Sequence, residues 1–443
     1  MTAVSQEVTV GLDIGTTSVK AIAADANGDV VARARVPHRL HIPAPGRMEH
    51  DATQAWRRGP RRALAALAQP HARGVCVAAM VPSMTAVDRR GIPHAPGLLY
   101  GDERGRTASS ANPAASGEAL AFLSWLAAEH PDAKGYWPAQ AAANFALSGE
   151  AALDTGSAFT THPLFTGLEW DAAVLDQAGV RADQLPRTAN MEEAVGKVGD
   201  ALLSAGTIDA LGEQLVAGAD ADGDVLVILG TTLIVWAATT EWREVPGLWT
   251  IPHTSPGLTF IGGASNAGGL FLNWAMSLAG RGSGAVDANR VPVWLPYPRG
   301  ERTPYHDPDR RSLLHGLDLT HDAAAVRRAA YEASGFAARH HLDLAATSPR
   351  RIVATGGGVR VAEWVQALAD CTGLPVDVVA VPEGGALGAA FIARVTAGLE
   401  SAMTDGARWA RTSHRVEPDP VWARAVEERY ARYRQLADGG NGR

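Results

Sequence analysis

The spacing of hydrophobic and polar residues near the start of the chain predicts a β-hairpin followed by a third strand. Two apolar runs, Val8 to Leu12 and Val19 to Ala24, stand on either side of the turn residues Gly15-Thr16-Thr17. Asn27-Gly28 is a strong two-residue turn signal, because both residues tolerate positive φ. Val30 to Val36 alternates arginine with apolar residues, which is typical of a strand with one buried face.

Alternating helical and strand-like segments follow this hairpin. Ala55 to Leu67 and Ala119 to Glu129 have the pattern of helices, and Val75 to Val81 is an apolar run typical of a buried strand. Such alternation predicts an α/β architecture with mixed sheets. Near the end of the chain, four residues at helical spacing predict the packing face of a last helix: Trp422, Val426, Tyr430 and Tyr433.

The strand–turn–strand pattern of the opening recurs about half a chain later. Asp224 to Leu229 is a continuous strand-like run, Gly230-Thr231-Thr232 follows it, and Leu233 to Ala238 is apolar again. A repeat of this kind at the half-length favours two related lobes. We therefore predict one domain over residues 1–223 and another over residues 224–443, with the two loops facing a shared central cleft.

Composition and charge limit the classes of protein to which the chain can belong. A chain of 443 residues is too long for one ordinary hydrophobic core, which favours two domains. Its contents of 46% hydrophobic and 20% charged residues are normal for a globular protein. The chain has 40 Lys and Arg against 47 Asp and Glu, which gives a net charge of −7. A chain with this charge lacks the positive electrostatic field that nucleic-acid binding needs. No apolar run is long enough to span a membrane, and the N-terminus lacks a signal-peptide pattern.

The use of cysteine indicates the compartment. Cys76 and Cys371 each lie in an apolar run, so we expect both to be buried free thiols. Such sparse use of cysteine suits a reducing environment, and we therefore expect a cytoplasmic protein with no nucleic-acid or membrane partner.

The two Gly-Thr-Thr loops are candidates for phosphate binding. Glycine lets the backbone approach an anion closely, successive turn amides can point into one concavity, and threonine hydroxyls add donors without charge. Taken singly, each loop is better explained as a plain hairpin turn; a pair could hold the phosphates of ATP from both sides. No GxxxxGK[ST] motif and no protein-kinase glycine loop occurs, so the chain is neither a Walker-type NTPase nor a protein kinase.

Several segments resemble the FGGY family of carbohydrate kinases. VGLDIGTTSVKA at residues 10–21 resembles the first phosphate motif of the family, and YGDER at residues 100–104 resembles its W-x-D-x-R strand end. LPYPRGERTPYHDPDRRSLLHGLDL at residues 295–319 resembles the C-terminal signature. Residues 352–390 resemble the adenosine segment, with ATGGGVRVAEW and then VPEGGALGAA. The similarity covers nearly the whole chain.

This resemblance implies the fold, the reaction and the ligands. FGGY kinases have two ribonuclease-H-like α/β domains of the actin-like ATPase type around a central cleft. The N-terminal domain mainly binds the sugar and the C-terminal domain mainly binds ATP. With ATP and Mg²⁺ they phosphorylate a hydroxyl of a small ketose or polyol. A dimer is common among them, so a homodimer is one oligomeric state that the resemblance suggests.

The resemblance also implies roles for individual residues. In these kinases the base is an aspartate just before the second phosphate loop, and Asp209 in the stretch SAGTIDALGEQLVAG takes that place. Asp13 matches the aspartate that orients Mg²⁺ through water. From the residues alone, Asp209 also fits a helix N-terminus and Asp13 a turn cap. The predicted ATP contacts are Gly15, Thr16, Thr17, Gly230, Thr231, Thr232, Gly356, Gly357, Gly358, Ala386 and Leu387.

The predicted sugar site departs from the family pattern. Where glycerol kinases carry Arg-Glu and xylulokinases carry Met-His, this chain has Val81-Pro82. This chain lacks the charged Arg-Glu pair with which glycerol kinases bind the hydroxyls of glycerol, so glycerol is disfavoured as the acceptor. The predicted sugar contacts are Pro82, Ser83, Tyr100, Asp102 and the base Asp209, although Asp102 can instead pair with Arg104. A pentulose such as D-xylulose is the favoured acceptor. The alternative acceptors are ribulose, another ketose, glycerol or another polyol. A non-catalytic regulator that binds sugar or nucleotide on the same fold is a further alternative.

The charged cluster in the signature stretch receives a structural interpretation. Glu301, Arg302 and Thr303 are taken to organise the second lobe, with Arg302 paired to a carboxylate. No metal site is assigned to the histidines of this half, because none has cysteine or carboxylate partners at metal-ligand spacing.

Overall fold

The computed structural model describes residues 7–106, 118–282 and 284–439, and the chain divides into two compact units. The first unit comprises Met1–Val216 and Glu383–Trp409, and the second comprises Ala217–Pro382 and Ala410–Arg443. The division differs from the predicted one in two respects. The first unit ends at residue 216 rather than 223, and the segment 383–409 belongs to the first unit although the prediction put it in the second.

The elements up to residue 217 belong almost wholly to the first unit. Its strands are β1 (Thr9–Ile14), β2 (Ser18–Ala24), β3 (Val30–Pro37), β4 (Leu40–His41), β5 (Glu49–His50), β6 (Gly74–Ala79), β7 (Ser83–Val87), β8 (Gly97–Leu99), β9 (Gly135–Trp137), β10 (Ala152–Asp154), β11 (Arg187–Ala189), β12 (Ala194–Val198), β13 (Ala201–Ser204) and β14 (Thr207–Ile208). Its α-helices are α1 (Gly59–Leu67), α2 (Glu118–Glu129), α3 (Ala139–Ser148), α4 (Thr155–Phe159), α5 (Ala172–Gln177) and α6 (Asp209–Ala217). A π-helical segment, Thr53–Arg58, leads directly into α1, so the helix predicted from residue 55 to residue 67 is two joined pieces.

The elements after residue 217 repeat the pattern of a sheet flanked by helices. The strands are β15 (Asp224–Leu229), β16 (Leu233–Thr239), β17 (Trp249–Pro252), β18 (Thr259–Ser265), β19 (Val293–Leu295), β20 (Leu313–His315), β21 (Arg351–Thr355), β22 (Val376–Val379) and β23 (Thr412–Val416). The α-helices are α7 (Gly269–Ala279), α8 (Ala323–Ala345), α9 (Ala362–Thr372), α10 (Gly384–Thr396) and α11 (Pro420–Asp438). The predicted last helix is confirmed as α11, and its residues Val426, Tyr430 and Tyr433 are buried.

The main sheet of the first unit is built around the opening hairpin. Its strand order is β12-β13-β6-β1-β2-β3, and β14 also pairs with β6. β1, β2 and β3 run antiparallel, whereas β6 and β13 extend the sheet in parallel with β1. Every residue of β1 and β6 is buried, which explains why both strands read as continuous apolar runs.

The main sheet of the second unit has the same plan. Its order is β17-β18-β16-β15-β21-β22-β23, with β15, β16 and β18 antiparallel and β21 and β22 parallel to β15. Three antiparallel strands extended by parallel ones form the ribonuclease-H-like arrangement predicted for both halves. The two Gly-Thr-Thr turns occupy equivalent places, because one joins β1 to β2 and the other joins β15 to β16.

Helix α10 packs against the sheet of the first unit, and this contact requires glycine on two of the strands. A Cβ added to Gly11 on β1 would lie 1.8 Å from the Ala386 carbonyl oxygen, and one added to Gly74 would lie 2.4 Å from that of Ala393. The Thr9 hydroxyl donates to the Ala390 carbonyl at 2.8 Å. Helix and strand backbones therefore approach each other so closely that side chains would not fit at these points.

The sequence also anticipates the state of the cysteines. Cys76 and Cys371 are free and buried as predicted, and burial raises the pKa of both thiols. Within the described ranges, no helix combines the length and the apolar character that crossing a membrane requires.

Candidate active site

The first Gly-Thr-Thr turn presents one threonine to the protein and one to solvent. The Gly15 amide donates to the Ser18 carbonyl at 3.1 Å and closes the turn. Thr16 is buried, and its hydroxyl lies 2.6 Å from the Tyr100 hydroxyl. Thr17 is exposed. The turn is therefore held rigid from within, while the Thr17 hydroxyl is accessible to a ligand.

A neutral histidine, His50, is hydrogen-bonded to the backbone of this turn. His50 Nε2 lies 2.8 Å from the Thr16 carbonyl, and Trp56 Nε1 donates to His50 Nδ1 at 3.0 Å, so the proton of the neutral ring is on Nε2. Burial lowers the pKa of His50 to about 3. His38 packs edge-on against His50 with 4.5 Å between ring centroids, and burial lowers its pKa to about 4. No local sequence pattern indicated either ring.

Asp13 faces a lysine that the sequence analysis did not single out. Asp13 and Lys20 are directly opposite in the β1–β2 register, and Lys20 Nζ donates to Asp13 Oδ2 at 2.9 Å. The Asp13 carboxylate raises the pKa of Lys20 against the effect of burial, and the charges of Glu213 and Asp209 add to the increase. The available signal was a single charged residue, Lys20, inside an otherwise apolar strand opposite Asp13.

Asp209 lies at the start of α6, as predicted, and near Asp13. Its Oδ1 accepts from the Ala210 amide at 2.7 Å. A Cβ added to Gly385 would lie 3.3 Å from Asp13 Cγ and 3.5 Å from the Asp209 carbonyl oxygen. Gly385, in the first turn of α10, is thus packed between the two aspartates. The first unit therefore brings Asp13, Lys20, Asp209 and Glu213 into one charged cluster.

This cluster has the chemistry that a hydrated magnesium ion and a general base require. Mg²⁺ is bound in nucleotide sites through one or two carboxylates and retained waters. In the described part of the chain, only Lys20 donates to Asp13, and it uses a single carboxylate oxygen. The described residues contain no group of three or more His, Cys, Asp or Glu side chains arranged as metal ligands. The donor set therefore fits a water-mediated Mg²⁺ contact and no dedicated metal cage.

The second Gly-Thr-Thr turn is covered by the start of α7. The Gly230 amide donates to the Thr232 carbonyl at 3.1 Å. The Gly269 and Leu270 amides donate to the Gly230 and Thr231 carbonyls at 2.9 Å and 3.1 Å. A Cβ at Gly268 would lie 2.2 Å from the Thr232 carbonyl carbon, so the helix start requires glycine here. The sequence analysis missed this contribution of Gly268 and Gly269.

The three glycines after β21 differ in their surroundings. A Cβ at Gly358 would lie 2.2 Å from the Trp364 ring, and one at Gly356, whose φ is +88°, would lie 2.9 Å from the Leu229 carbonyl. Nothing lies within 4 Å of the corresponding position at Gly357. Internal packing therefore explains two of the three glycines, and only Gly357 leaves open space where a nucleotide could lie.

Two predicted nucleotide contacts lie in the first unit and are deeply buried. Ala386 and Leu387 expose 0% and 3% of their surface. Their helix, α10, packs on the first sheet, whereas Gly356–Gly358 belong to the second unit. Packing within the first unit thus accounts for the burial of both residues. A nucleotide contact by Ala386 or Leu387 stays a prediction.

The predicted sugar contacts are mostly engaged within the first unit. Asp102 is fully buried, accepts from the Met48 amide at 2.7 Å and forms a bidentate pair with Arg104. The Ser83 hydroxyl donates to the Met80 carbonyl and accepts from the Ala139 amide. The structure thus adopts the alternative pairing of Asp102, and this carboxylate and the Ser83 hydroxyl do not face open space.

Pro82 and Tyr100 complete the set of predicted sugar contacts in the first unit. Pro82 is half-buried beside a cavity of about 10 Å³, which is far too small for a sugar. Tyr100 is 5% exposed, with its hydroxyl bound to Thr16. A sugar contact by Pro82, Ser83, Tyr100 or Asp102 stays a prediction, and one by Ser83 or Asp102 would require existing hydrogen bonds to open.

The two ribonuclease-H-like sheets define a class of protein, the two-domain ATPases of actin-like fold. The crystal structure of xylulose kinase from Rhodospirillum rubrum is similar, with a TM-score of 0.78, 27% identity and coverage of 98% of this chain and 99% of that one. The structure of a xyloylose kinase from Brucella ovis has a TM-score of 0.81 and 23% identity, covers 98% and 99% of the two chains, and supports the fold.

The family follows from the sequence. Residues 8–210 match the N-terminal domain of the FGGY family of carbohydrate kinases, and residues 225–397 match its C-terminal domain. The chain belongs to the FGGY family of carbohydrate kinases. It is 26% identical to the xylulose kinase of Escherichia coli K12, over 89% of this chain and 91% of that protein. The autoinducer-2 kinase of the same strain is 28% identical, over 92% and 90%.

These matches confirm the predicted family and the predicted activity. The protein is a sugar kinase, and membership of the family implies that ATP is the phosphoryl donor.

Proposed function

We propose that this sugar kinase transfers the γ-phosphate of ATP to a hydroxyl of a pentulose, with D-xylulose as the favoured acceptor. The observation that carries the proposal is the cluster of Asp13, Lys20 and Asp209, in which a candidate base lies near a candidate magnesium ligand. Relatives in Escherichia coli and Klebsiella pneumoniae that are xylulose kinases, 26% and 27% identical to this chain, support the choice of acceptor.

In the proposed reaction, Asp209 accepts the proton of the attacking sugar hydroxyl. As that O–H bond breaks, the sugar oxygen forms a bond to the γ-phosphorus, the bond from the γ-phosphorus to the β–γ bridging oxygen breaks, and ADP leaves with the bonding electrons. The half-buried position of Asp209 at the start of α6 supports this role, because the first helical turn favours a carboxylate there.

The remaining residues of the proposal bind and neutralise charge. The hydroxyls of Thr17 in the first turn and of Thr231 and Thr232 in the second would donate hydrogen bonds to the phosphates. Gly15 and Gly230, whose amides already donate within their own turns, would let the phosphates approach the backbone closely. The positive charge of Lys20 offsets the mutual repulsion of the carboxylates around it. Asp13 would hold Mg²⁺ through water, and the bound ion would supply positive charge that offsets the charge of the phosphates.

The test of the acceptor is a coupled ADP-release assay over a panel of small molecules. The panel contains D-xylulose, ribulose, gluconate, glycerol and autoinducer-2, and kcat/KM is compared across it. The last compound represents a second candidate function, favoured by the 28% identity of autoinducer-2 kinases over 92% of this chain. A higher kcat/KM for any acceptor other than a pentulose would contradict the proposal.

Asp209→Asn tests the assignment of the base. Asparagine keeps the shape of the side chain but cannot take up the proton, so kcat is expected to fall by about 10²–10⁴-fold. Asp171→Asn is the matched control, because Asp171 caps α5 and asparagine is an equally good cap. The assignment is wrong if Asp209→Asn keeps more than a tenth of the wild-type kcat while ADP affinity is unchanged.

The cellular setting is a further part of the proposal. The two free, buried thiols suit a reducing compartment, which supports a cytoplasmic location. A homodimer stays a prediction, and light scattering on the purified protein measures it.

A further inference from the structure

A buried carboxylate in the second unit has no role in the proposed chemistry. Glu301 is 4% exposed, and its Oε2 accepts from the Ser265 hydroxyl at 2.6 Å. Its Oε1 accepts from the backbone amides of Asn266 and Arg302 at 2.8 Å and 2.7 Å. Burial raises the pKa of Glu301 to about 7 in spite of these three donors. Such burial is costly, so a specific structural reason for a carboxylate is expected.

Two of the three donors, Ser265 and Asn266, lie in the short segment that leads from the end of β18 into α7. The Ser265 hydroxyl, besides binding Glu301, accepts from the Ala267 amide at 3.1 Å. Asn266 Nδ2 donates to the Gly300 carbonyl at 3.0 Å, and its Oδ1 accepts from the Arg299 guanidinium at 3.0 Å. Residues 299–302 therefore hold both the backbone and the side chains of this joining segment.

The same segment determines where α7 begins. After Ala267, Gly268 and Gly269 run directly over the second Gly-Thr-Thr turn, and the Gly269 amide donates to the Gly230 carbonyl. A shift of Ser265 and Asn266 would thus move the helix start, and with it the conformation of Gly230–Thr232. The path from the carboxylate to the turn consists of one joining segment and backbone hydrogen bonds.

We propose that Glu301 is a positioning residue for nucleotide binding, which acts by fixing the start of α7 against the turn Gly230–Thr232. The inference rests on the proposed phosphate-binding role of that turn. The Glu301 carboxylate accepts three hydrogen bonds, two from the neighbouring residues Ser265 and Asn266 and one from the amide of Arg302. A smaller side chain at position 301 would leave the Asn266 amide and the Ser265 hydroxyl without these bonds.

A role confined to stability would have a different signature. Loss of Glu301 would then lower the free energy of unfolding, while the folded protein would bind nucleotide as before. A positioning role predicts weaker nucleotide binding by the folded protein itself. Calorimetric titration with ADP, made well below the melting temperature of each variant, separates the two cases.

Three variants and one control carry the test. Glu301→Ala is expected to weaken ADP binding at least tenfold and to raise the KM for ATP without raising the KM for the sugar. Glu301→Gln keeps an acceptor for both amides and should bind ADP within threefold of wild type. Ser265→Ala, a milder change that keeps the fold if Glu301→Ala does not, should weaken ADP binding several-fold. Glu332→Gln alters another buried carboxylate of the same unit, paired with Arg429, and should lower stability without changing ADP affinity.

The outcomes separate this inference from the proposed function. If the wild-type protein does not bind ADP, the role of the turn fails and the inference fails with it. If the wild type binds ADP and Ser265→Ala and Glu301→Ala bind it equally well, only the inference is overturned. The same conclusion follows if Glu332→Gln weakens ADP binding as much as Glu301→Ala does.

Discussion

Asp13 and Lys20 show how a hairpin register places a charge pair inside a sheet. The sequence identified Asp13 from its place before the turn, yet it left Lys20 as an ordinary member of an apolar run. Their direct opposition follows from the length of the turn, which pairs Ile14 with Val19 and then Asp13 with Lys20. Counting outward from a predicted turn would therefore have found the lysine.

For Asp102 and Ser83, the sequence alone does not predict which group each side chain contacts. Both residue types bind sugars in many sites, and Asp102 also stands in a segment that resembles the family pattern. Whether a side chain faces a ligand or its own protein depends on contacts with distant residues such as Met48 and Ala139. These partners lie 54 and 56 residues away in the chain, so no local pattern indicates them.

The neutral state of His50 predicts how the stability of the first unit depends on pH. The pKa of a histidine is about 6.5 in the unfolded chain, whereas burial lowers that of His50 to about 3 in the fold. The unfolded state alone takes up this proton between those values, so stability is full above about pH 6.5 and is lost as the pH falls. One such group contributes a loss of about 2 kcal/mol between pH 7 and pH 5.

His50→Gln is the variant that tests this effect. Glutamine does not titrate, so urea unfolding should show a smaller loss of stability between pH 7 and pH 5 than the wild type shows. His71→Gln, at an exposed position, serves as the control and should keep the wild-type slope. An unchanged slope in His50→Gln would show that another group causes the acid sensitivity.

The elements of the two sheets were largely predictable. The runs proposed for the opening hairpin and for the hairpin that begins at Asp224 match β1, β2, β15 and β16 to within two residues at each end. Continuous apolar strands and strong turn residues are local signals, and here no distant contact overrides them. The π-helical segment before α1 was not predicted from the sequence. Tertiary packing requires the glycine at the join, because a Cβ at Gly59 would lie 2.8 Å from Val19.

The glycine-rich turn after β21 allows a test at the scale of one element. Gly358→Ala should lower the free energy of unfolding by about 1–3 kcal/mol, because the new methyl group meets the buried Trp364 ring. Gly357→Ala points into open space and should change it by less than about 0.5 kcal/mol. If a nucleotide lies against Gly357, the same variant should weaken ADP binding about tenfold, measured by calorimetric titration.

The two substitutions control each other. They are adjacent and chemically identical, so they differ only in what the added methyl group contacts. Equal ADP affinity of Gly357→Ala and wild type would contradict the predicted nucleotide contact at Gly357, whatever happens at Gly358.

At the scale of the whole molecule, the first unit is discontinuous in sequence. It is completed by α10, whose Ala386 and Ala390 backbones lie against β1. The sequence did not predict this, because the repeat of the hairpin suggested a simple division at the midpoint. Small residues in an apolar helix indicate a close contact, but they do not indicate which sheet the helix contacts.

Deletion of the returning segment provides the test at this scale. A fragment of residues 1–216 leaves uncovered the face of the first sheet on which α10 packs, so we expect it to aggregate or to lack a cooperative unfolding transition. Fusion of residues 383–409 to its end through a flexible linker should restore solubility and a cooperative transition, measured by circular dichroism. A fragment 1–216 that folds cooperatively without the segment would contradict this prediction.

The late position of α10 in the chain has a consequence during protein synthesis. A ribosome that adds 5–20 residues per second needs roughly 10–35 s to travel from residue 216 to the end of α10. Throughout that interval the nascent first unit waits with an apolar sheet face uncovered. Chaperones that shield nascent chains are therefore expected to bind this protein longer than one in which each domain is continuous.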